Sequence, residues 1–156
     1  MQTRLEVRLC QIVSLWWSAC VAFASLCNRL WDIGGLFGCG TVTELDLSRC
    51  PLLKNISALA GCPQIRSLNL SHCVELAEFS VIKALNHLQY LDVSCNVNFW
   101  DTNLIATKME LEQCDLSWTG VCDVSALSSC ERLRVVYAKG CLGLGRTSLL
   151  VAELVL

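Results

Sequence analysis

The chain of 156 residues is short of charge: Asp, Glu, Lys and Arg make up 17% of it, against about a quarter in average soluble proteins. Twelve basic and fourteen acidic residues leave a net charge of −2. There is no basic block to neutralise a phosphate backbone and no acidic tail, which argues against nucleic acid as the main partner. Histidine is nearly absent, with His72 and His87 alone. No Cys-x-x-Cys pair occurs, so a zinc site lacks its usual ligands and a thioredoxin-like centre lacks its thiols. A hydrolase needs a nucleophile, a base and an orienter, and no such set is visible. The string GCLGLGRTS at 140–148 has glycines near a basic residue but neither the spacing nor the lysine of a phosphate-binding loop. These absences point away from an enzyme, a cofactor and a metal centre.

What is present is apolar surface and cysteine. Hydrophobic residues reach 54%, enough for a large core, and there are twelve cysteines. Irregular spacing would suggest a disulfide framework, but here the spacing is periodic. Cys27, Cys50 and Cys73 are 23 residues apart, as are Cys39 and Cys62. Equivalent places in a repeat suit reduced thiols packed as small hydrophobes, and reduced thiols point to a cytoplasmic location.

Five segments align: VTELDLSRC at 42–50, IRSLNLSHC at 65–73, LQYLDVSCN at 88–96, LEQCDLSWT at 111–119 and LRVVYAKGC at 133–141. Their starts are 23, 23, 23 and 22 residues apart. Each carries small or apolar residues at its first, fourth and sixth positions and Cys, Asn or Thr at its ninth. The period-two alternation of a strand sends Leu45 and Leu47, Leu68 and Leu70, or Leu91 and Val93 inward. Residues 46, 69, 92, 115 and 137 then face outward. Beyond each strand, Ile56, Leu59 and Cys62, like Phe79, Ile82 and Leu85, recur every three residues, the spacing of a 3₁₀ or helical turn. Repeat four departs from this pattern: Cys114 stands where leucine is usual, and Lys108 replaces an apolar residue, so that turn is expected to loop outward.

The pattern LxxLxLxx(N/C) resembles that of leucine-rich-repeat proteins. The strings NISALAGCPQI at 55–65 and DVSALSSCERL at 123–133 are similar to the convex half of the short, 22-residue class found in phosphatase regulators and bacterial internalins. The ninth-position cysteine is similar to that of cysteine-rich repeat proteins of trypanosomatid parasites. The resemblance implies an α/β leucine-rich-repeat solenoid, a parallel concave sheet backed by short helical or 3₁₀ turns. It also implies a protein-interaction module with a protein partner. An adaptor or regulatory subunit of a signalling enzyme or ubiquitin ligase is the alternative, and would need an added effector domain.

The ends leave alternatives open. Residues 9–27 carry no charge and admit three readings: a targeting or anchoring segment, with Ala22-Phe23-Ala24 as a small-x-small cleavage site; an amphipathic capping helix; or a divergent repeat. The third follows from Cys27, Ile33, Leu36 and Cys39, which reproduce the spacing of Cys50, Ile56, Leu59 and Cys62. It puts Ala19, Ala22 and Ala24 where leucines belong, each a loss of about 2–5 kcal/mol. The expected division is residues 1–27 as an apolar segment and 28–156 as the repeat domain. If 9–27 is a targeting segment, the domain is secreted or membrane-anchored. At the other end, RTSLLVAELVL stops within a further repeat, so a longer parent chain or edge-to-edge self-association is expected.

Residues 46, 69, 92 and 115 form a column of Asp and Asn, and Ser48, Ser71, Ser94 and Ser117 a second. Close carboxylates can bind cations, but Asp two residues before Ser suits a structural role better. Asn55-Ile-Ser57 and Asn69-Leu-Ser71 match a glycosylation acceptor, relevant only to a secreted chain. His72 and His87 read as surface polar residues. Recognition is expected of the side chains that change between repeats and are rich in Tyr, Trp and Arg: Arg49, Arg66, His72, Tyr90, Trp118 and Tyr137. Trp118 either contacts a partner or folds back over the irregular fourth repeat.

Overall fold

In the computed structural model, the described residues are 21–23, 29–144 and 153–155, the first and last of these as strands only. The repeat becomes an open, seven-stranded parallel sheet whose strands follow chain order. They are β1 (Val21–Phe23), β2 (Glu44–Asp46), β3 (Ser67–Asn69), β4 (Tyr90–Asp92), β5 (Gln113–Asp115), β6 (Val135–Tyr137) and β7 (Glu153–Val155). Register follows the period: Leu45 pairs with Leu68, Leu68 with Leu91, and Leu91 with Cys114. Ala22 pairs with Leu45, the partner required by the divergent-repeat reading of the N-terminal segment. The rest of the run at 9–27, with its targeting and capping-helix readings, lies outside the described residues, as do 145–148 of the glycine-rich string.

The convex side is built from 3₁₀ turns at Gly34–Leu36, Ser57–Gly61, Ser80–Ala84, Thr102–Leu104 and Ser125–Ser129. A 22–23-residue unit has little chain left for the return path, and a tight turn of three residues suits it. Each return begins with a side chain that accepts a backbone N–H at the start of the 3₁₀ turn. Asp32, Asn55, Asp101 and Asp123 accept through Oδ1 from the N–H two residues on, and Glu78 does the same through Oε1. Sheet and turns enclose one continuous core that includes Leu45, Leu47, Leu59, Ile65, Leu68, Leu70, Ile82, Leu88 and Leu91. No helix among the described residues is long and apolar enough to cross a membrane.

The cysteines are part of this core. No disulfide joins two of the described cysteines, and Cys50, Cys62, Cys73, Cys114, Cys130 and Cys141 are buried. Several thiols donate back to a carbonyl of the preceding repeat: Cys73 to Leu47 at 3.1 Å, Cys141 to Leu116 at 2.9 Å, Cys62 to Leu36 at 3.4 Å and Cys130 to Ile105 at 3.3 Å. Burial pushes Cys62 up to about 11 and Cys73 to about 12. These thiols therefore stay protonated at neutral pH, as donors and not nucleophiles.

Lys108 corrects the expectation of an outward loop. It is fully buried, 0% exposed, in the convex column otherwise made by Cys39, Cys62, Leu85 and Cys130. Its long apolar stem fills a core position, and its ammonium reaches the Lys83 carbonyl at 2.8 Å. Burial lowers its pKa below the usual 10.5. The folded chain therefore binds this proton less tightly than the unfolded chain, and stability rises as pH climbs from the lowered value towards 10.5. Wild type should gain stability relative to Lys108→Met across that window; parallel unfolding curves for the two proteins between pH 7 and 10.5 would contradict the burial.

Candidate functional site

The concave surface is made by the third and fifth positions of each repeat, on either side of the inward fourth. The third contributes Glu44, Ser67, Tyr90, Gln113 and Val135; the fifth contributes Asp46, Asn69, Asp92, Asp115 and Tyr137. Tyr90 and Tyr137 are half-buried on this face. The fifth-position acids have a structural duty. Oδ1 of Asp46, Asn69, Asp92 and Asp115 accepts from the N–H of the serine two residues on, at 2.8–2.9 Å. This is a side-chain mimic of a backbone turn.

That turn leads into the eighth position, where Arg49, His72, Cys95 and Trp118 adopt positive φ of 57°, 59°, 61° and 60°. Only Gly140, at 74°, meets this conformation without a side chain to strain it. The others are held because their N–H groups bond to the next repeat: Arg49 to the Ser71 carbonyl, His72 to Ser94, Cys95 to Ser117 and Trp118 to Lys139. Their side chains are projected in a row along one edge of the sheet. Glycine at Arg49 would release a left-handed cost of about 1 kcal/mol. Arg49→Gly should therefore unfold some 2–4 °C higher in a calorimetric scan, and a clearly lower midpoint would show that the arginine supports the turn.

The expected recognition residues thus fall into three groups. Arg49, His72 and Trp118 share the left-handed edge. Tyr90 and Tyr137 lie on the sheet itself. Arg66, exposed one residue before β3, sits at the opposite end of the strands and is not brought beside the edge row. Trp118 is 53% exposed, but its ring rests on the next repeat, in the space that a Cβ at Gly140 would need. It folds forward onto the fifth repeat and not back over the fourth. Half-exposed Cys95 belongs to the same edge and was not among the expected residues; the glycine at the equivalent position in the fifth repeat was the available signal.

Among the described residues no group of three or more His, Cys, Asp or Glu side chains is placed to hold a metal ion. His72 is exposed. His87 lies in the turn before β4, where its Nδ1 is 3.0 Å from Oε1 of Glu110, and this bond holds the Glu110 carboxyl below its usual value. Burial pushes the Tyr90 hydroxyl up, with Asp92, Asp115, Asp46 and Tyr137 adding to the effect. Asp92 is also raised, chiefly by burial and then by Asp115, while Ser94 and His72 act against the shift. A folded carboxyl that holds its proton more tightly than the unfolded one loses stability as pH rises through and beyond 3.8. Asp92→Asn should therefore be more stable than wild type at pH 7, with the advantage fading towards pH 3; an Asn variant less stable at pH 7 would refute the cost.

The leucine-rich-repeat sequence profile matches residues 84–97, the stretch that contains β4. Among solved structures, an internalin of Listeria monocytogenes, InlF, is 28% identical with a TM-score of 0.64, over 70% of this chain and 32% of that one. Internalin C2 of the same organism is 23% identical with a TM-score of 0.61, over 72% and 54%. A leucine-rich-repeat protein of Leptospira interrogans shares the fold at 16% identity and a TM-score of 0.55, over 69% and 28%. The chain thus spans about a third of InlF and about half of internalin C2. No curated protein sequence matches it. The 23-residue register, the parallel sheet backed by 3₁₀ turns, the profile match and the internalin neighbours agree: the chain carries leucine-rich repeats and has the leucine-rich-repeat solenoid fold.

Proposed function

We propose that the chain is a protein-interaction module that holds a protein partner on its concave face, through Arg49, Arg66, His72, Tyr90, Trp118 and Tyr137. One observation carries the reading: an unvarying frame displays a varying surface. Inward positions are Leu, Ile, Val, Cys or Ala in repeat after repeat. The fifth-position side chains accept from the backbone N–H of the seventh residue and so close the turn, apart from Tyr137 in the last repeat. At the third and eighth positions the side chains change at every step, from Glu44 to Tyr90 and from Arg49 to Trp118, and nothing in the turn geometry calls for that variety. Such repeats present a multi-strand surface of this kind to their partners, and Tyr, Trp and Arg are the side chains that most often dominate an interface.

The proposed role is binding without catalysis, in keeping with the scarcity of histidine and the protonated thiols. A partner captured by affinity from the cells that make this protein should bind Tyr90→Ala and Trp118→Ala at least tenfold more weakly, with circular dichroism unchanged. Full affinity in both variants would rule out the concave face.

A further inference from the structure

The carboxylates on the concave face carry charge that the fold does not use. Asn69 closes its turn with a neutral carboxamide at 2.9 Å, as well as Asp46, Asp92 and Asp115 do at 2.8–2.9 Å. Three of four repeats nevertheless have the acid, and Asp92 and Asp115 are direct neighbours across the sheet, where like charges oppose one another. The ion pairs found among the described residues, Lys54–Glu75 and His87–Glu110, lie elsewhere. Glu44 adds a fourth acid, two residues before Asp46 on the same face of β2. Flanking cations sit at the edges: Arg49 on the left-handed side, Arg66 and Arg134 at the opposite strand ends. Glu112 lies between Arg66 and Arg134 in that row and Lys139 ends the seventh-position row, so the fifth-position column is the run of acids on the middle strip of the face.

The aromatic residues are placed on this same strip. Tyr137 pairs directly with Asp115 across β5 and β6, and Tyr90 is on the strand of Asp92, its hydroxyl under the influence of Asp46, Asp92 and Asp115. A tyrosine face beside a carboxylate suits a guanidinium or ammonium group, which gains from both ring and charge. Spacing gives the shape of the occupant. Strands stand about 4.8 Å apart, so Asp46 is about 10 Å from the Asp92 row and about 14 Å from that of Asp115. Residues four apart in an extended chain span about 13 Å.

Resting on the concave-face reading above, we propose that the occupant is an extended basic protein segment, with one arginine or lysine over Asp92 and Asp115 beside Tyr90 and Tyr137. A second basic residue, about four positions away, sits over Asp46 and Glu44. Complementary charge of this kind selects the partner and its orientation more than it adds raw affinity.

The test uses the full chain and three fluorescein-labelled peptides at low salt: GSRGSGRSG, with arginines four apart, and its counterparts with glutamine or glutamate in both arginine places. The arginine peptide should bind more tightly than either counterpart. It should lose at least fivefold on the double variant Asp92→Asn, Asp115→Asn, which keeps the turn acceptor as Asn69 does, and lose nothing on Glu75→Gln, Glu131→Gln away from the face. Absence of binding, equal binding of the glutamine peptide, or full affinity for the double Asn variant would overturn the proposal. If the captured partner still depends on Tyr90 and Trp118 in that case, the concave-face reading stands and only its charge preference falls. If the arginine peptide and the partner both ignore Tyr90→Ala and Trp118→Ala, both readings fall.

Discussion

The structure depends on how the backbone is turned at the end of each strand. There the fifth-position side chain accepts a backbone N–H, the eighth residue enters the left-handed region, and the ninth directs a donor into the core. In the third repeat the donor is the Asn96 carboxamide, which reaches the Leu70 carbonyl of the preceding repeat and the Val93 carbonyl of its own, both at 2.9 Å. In the second and fifth it is a thiol. Thr119 in the fourth is shorter; it donates to Leu116 within its own repeat and lies 3.4 Å from the Cys141 sulfur. A buried carbonyl left without a donor is costly, so the ninth position accepts several residue types but not an inert one.

Because the turn is held from both sides, the surface above it is free to vary. A non-glycine residue in the left-handed conformation at the same place in four successive repeats would be improbable in isolated loops. Here the ladder bonds on one side and the Asx-type turn on the other determine φ before the side chain is chosen. Arginine, histidine, cysteine and tryptophan therefore share one backbone geometry, and the edge becomes a rail on which chemistry can change without altering the frame. Trp118 shows the limit of that freedom. Its ring takes the space of a Cβ in the next repeat, and glycine at 140 answers both the positive φ and that ring.

Much of this was legible in the residues because a solenoid repeats its argument. The 23-residue period gave the strand register, including the pairing of Ala22 with Leu45, and period-two alternation separated Leu68 from Asn69. The outward Asp column and its role in the turn could also be read from the recurring Asp-x-Ser. Lys108 could not. Residue type says charged, whereas burial is decided by a long stem and by one carbonyl within reach, which only the neighbouring turn supplies. Nor does sequence display φ: four different side chains at the eighth position hide a shared conformation that a run of glycines would have announced. The acceptors that open the convex turns are hidden in the sequence because Asp, Asn and Glu interchange there, although each makes the same bond.

The protonated thiols give the chain an internal clock for its own motions. A buried thiol with a raised pKa reacts with an alkylating reagent only when its surroundings open and it can ionise in water. Cys62, Cys73, Cys114 and Cys130, each raised by burial, are distributed through successive repeats, and Cys122 is the exposed cysteine among those described. Labelling over time followed by peptide mass analysis would count openings repeat by repeat, as amide exchange does, without any added probe. A cysteine-rich core so becomes a record of where along the solenoid the chain breathes.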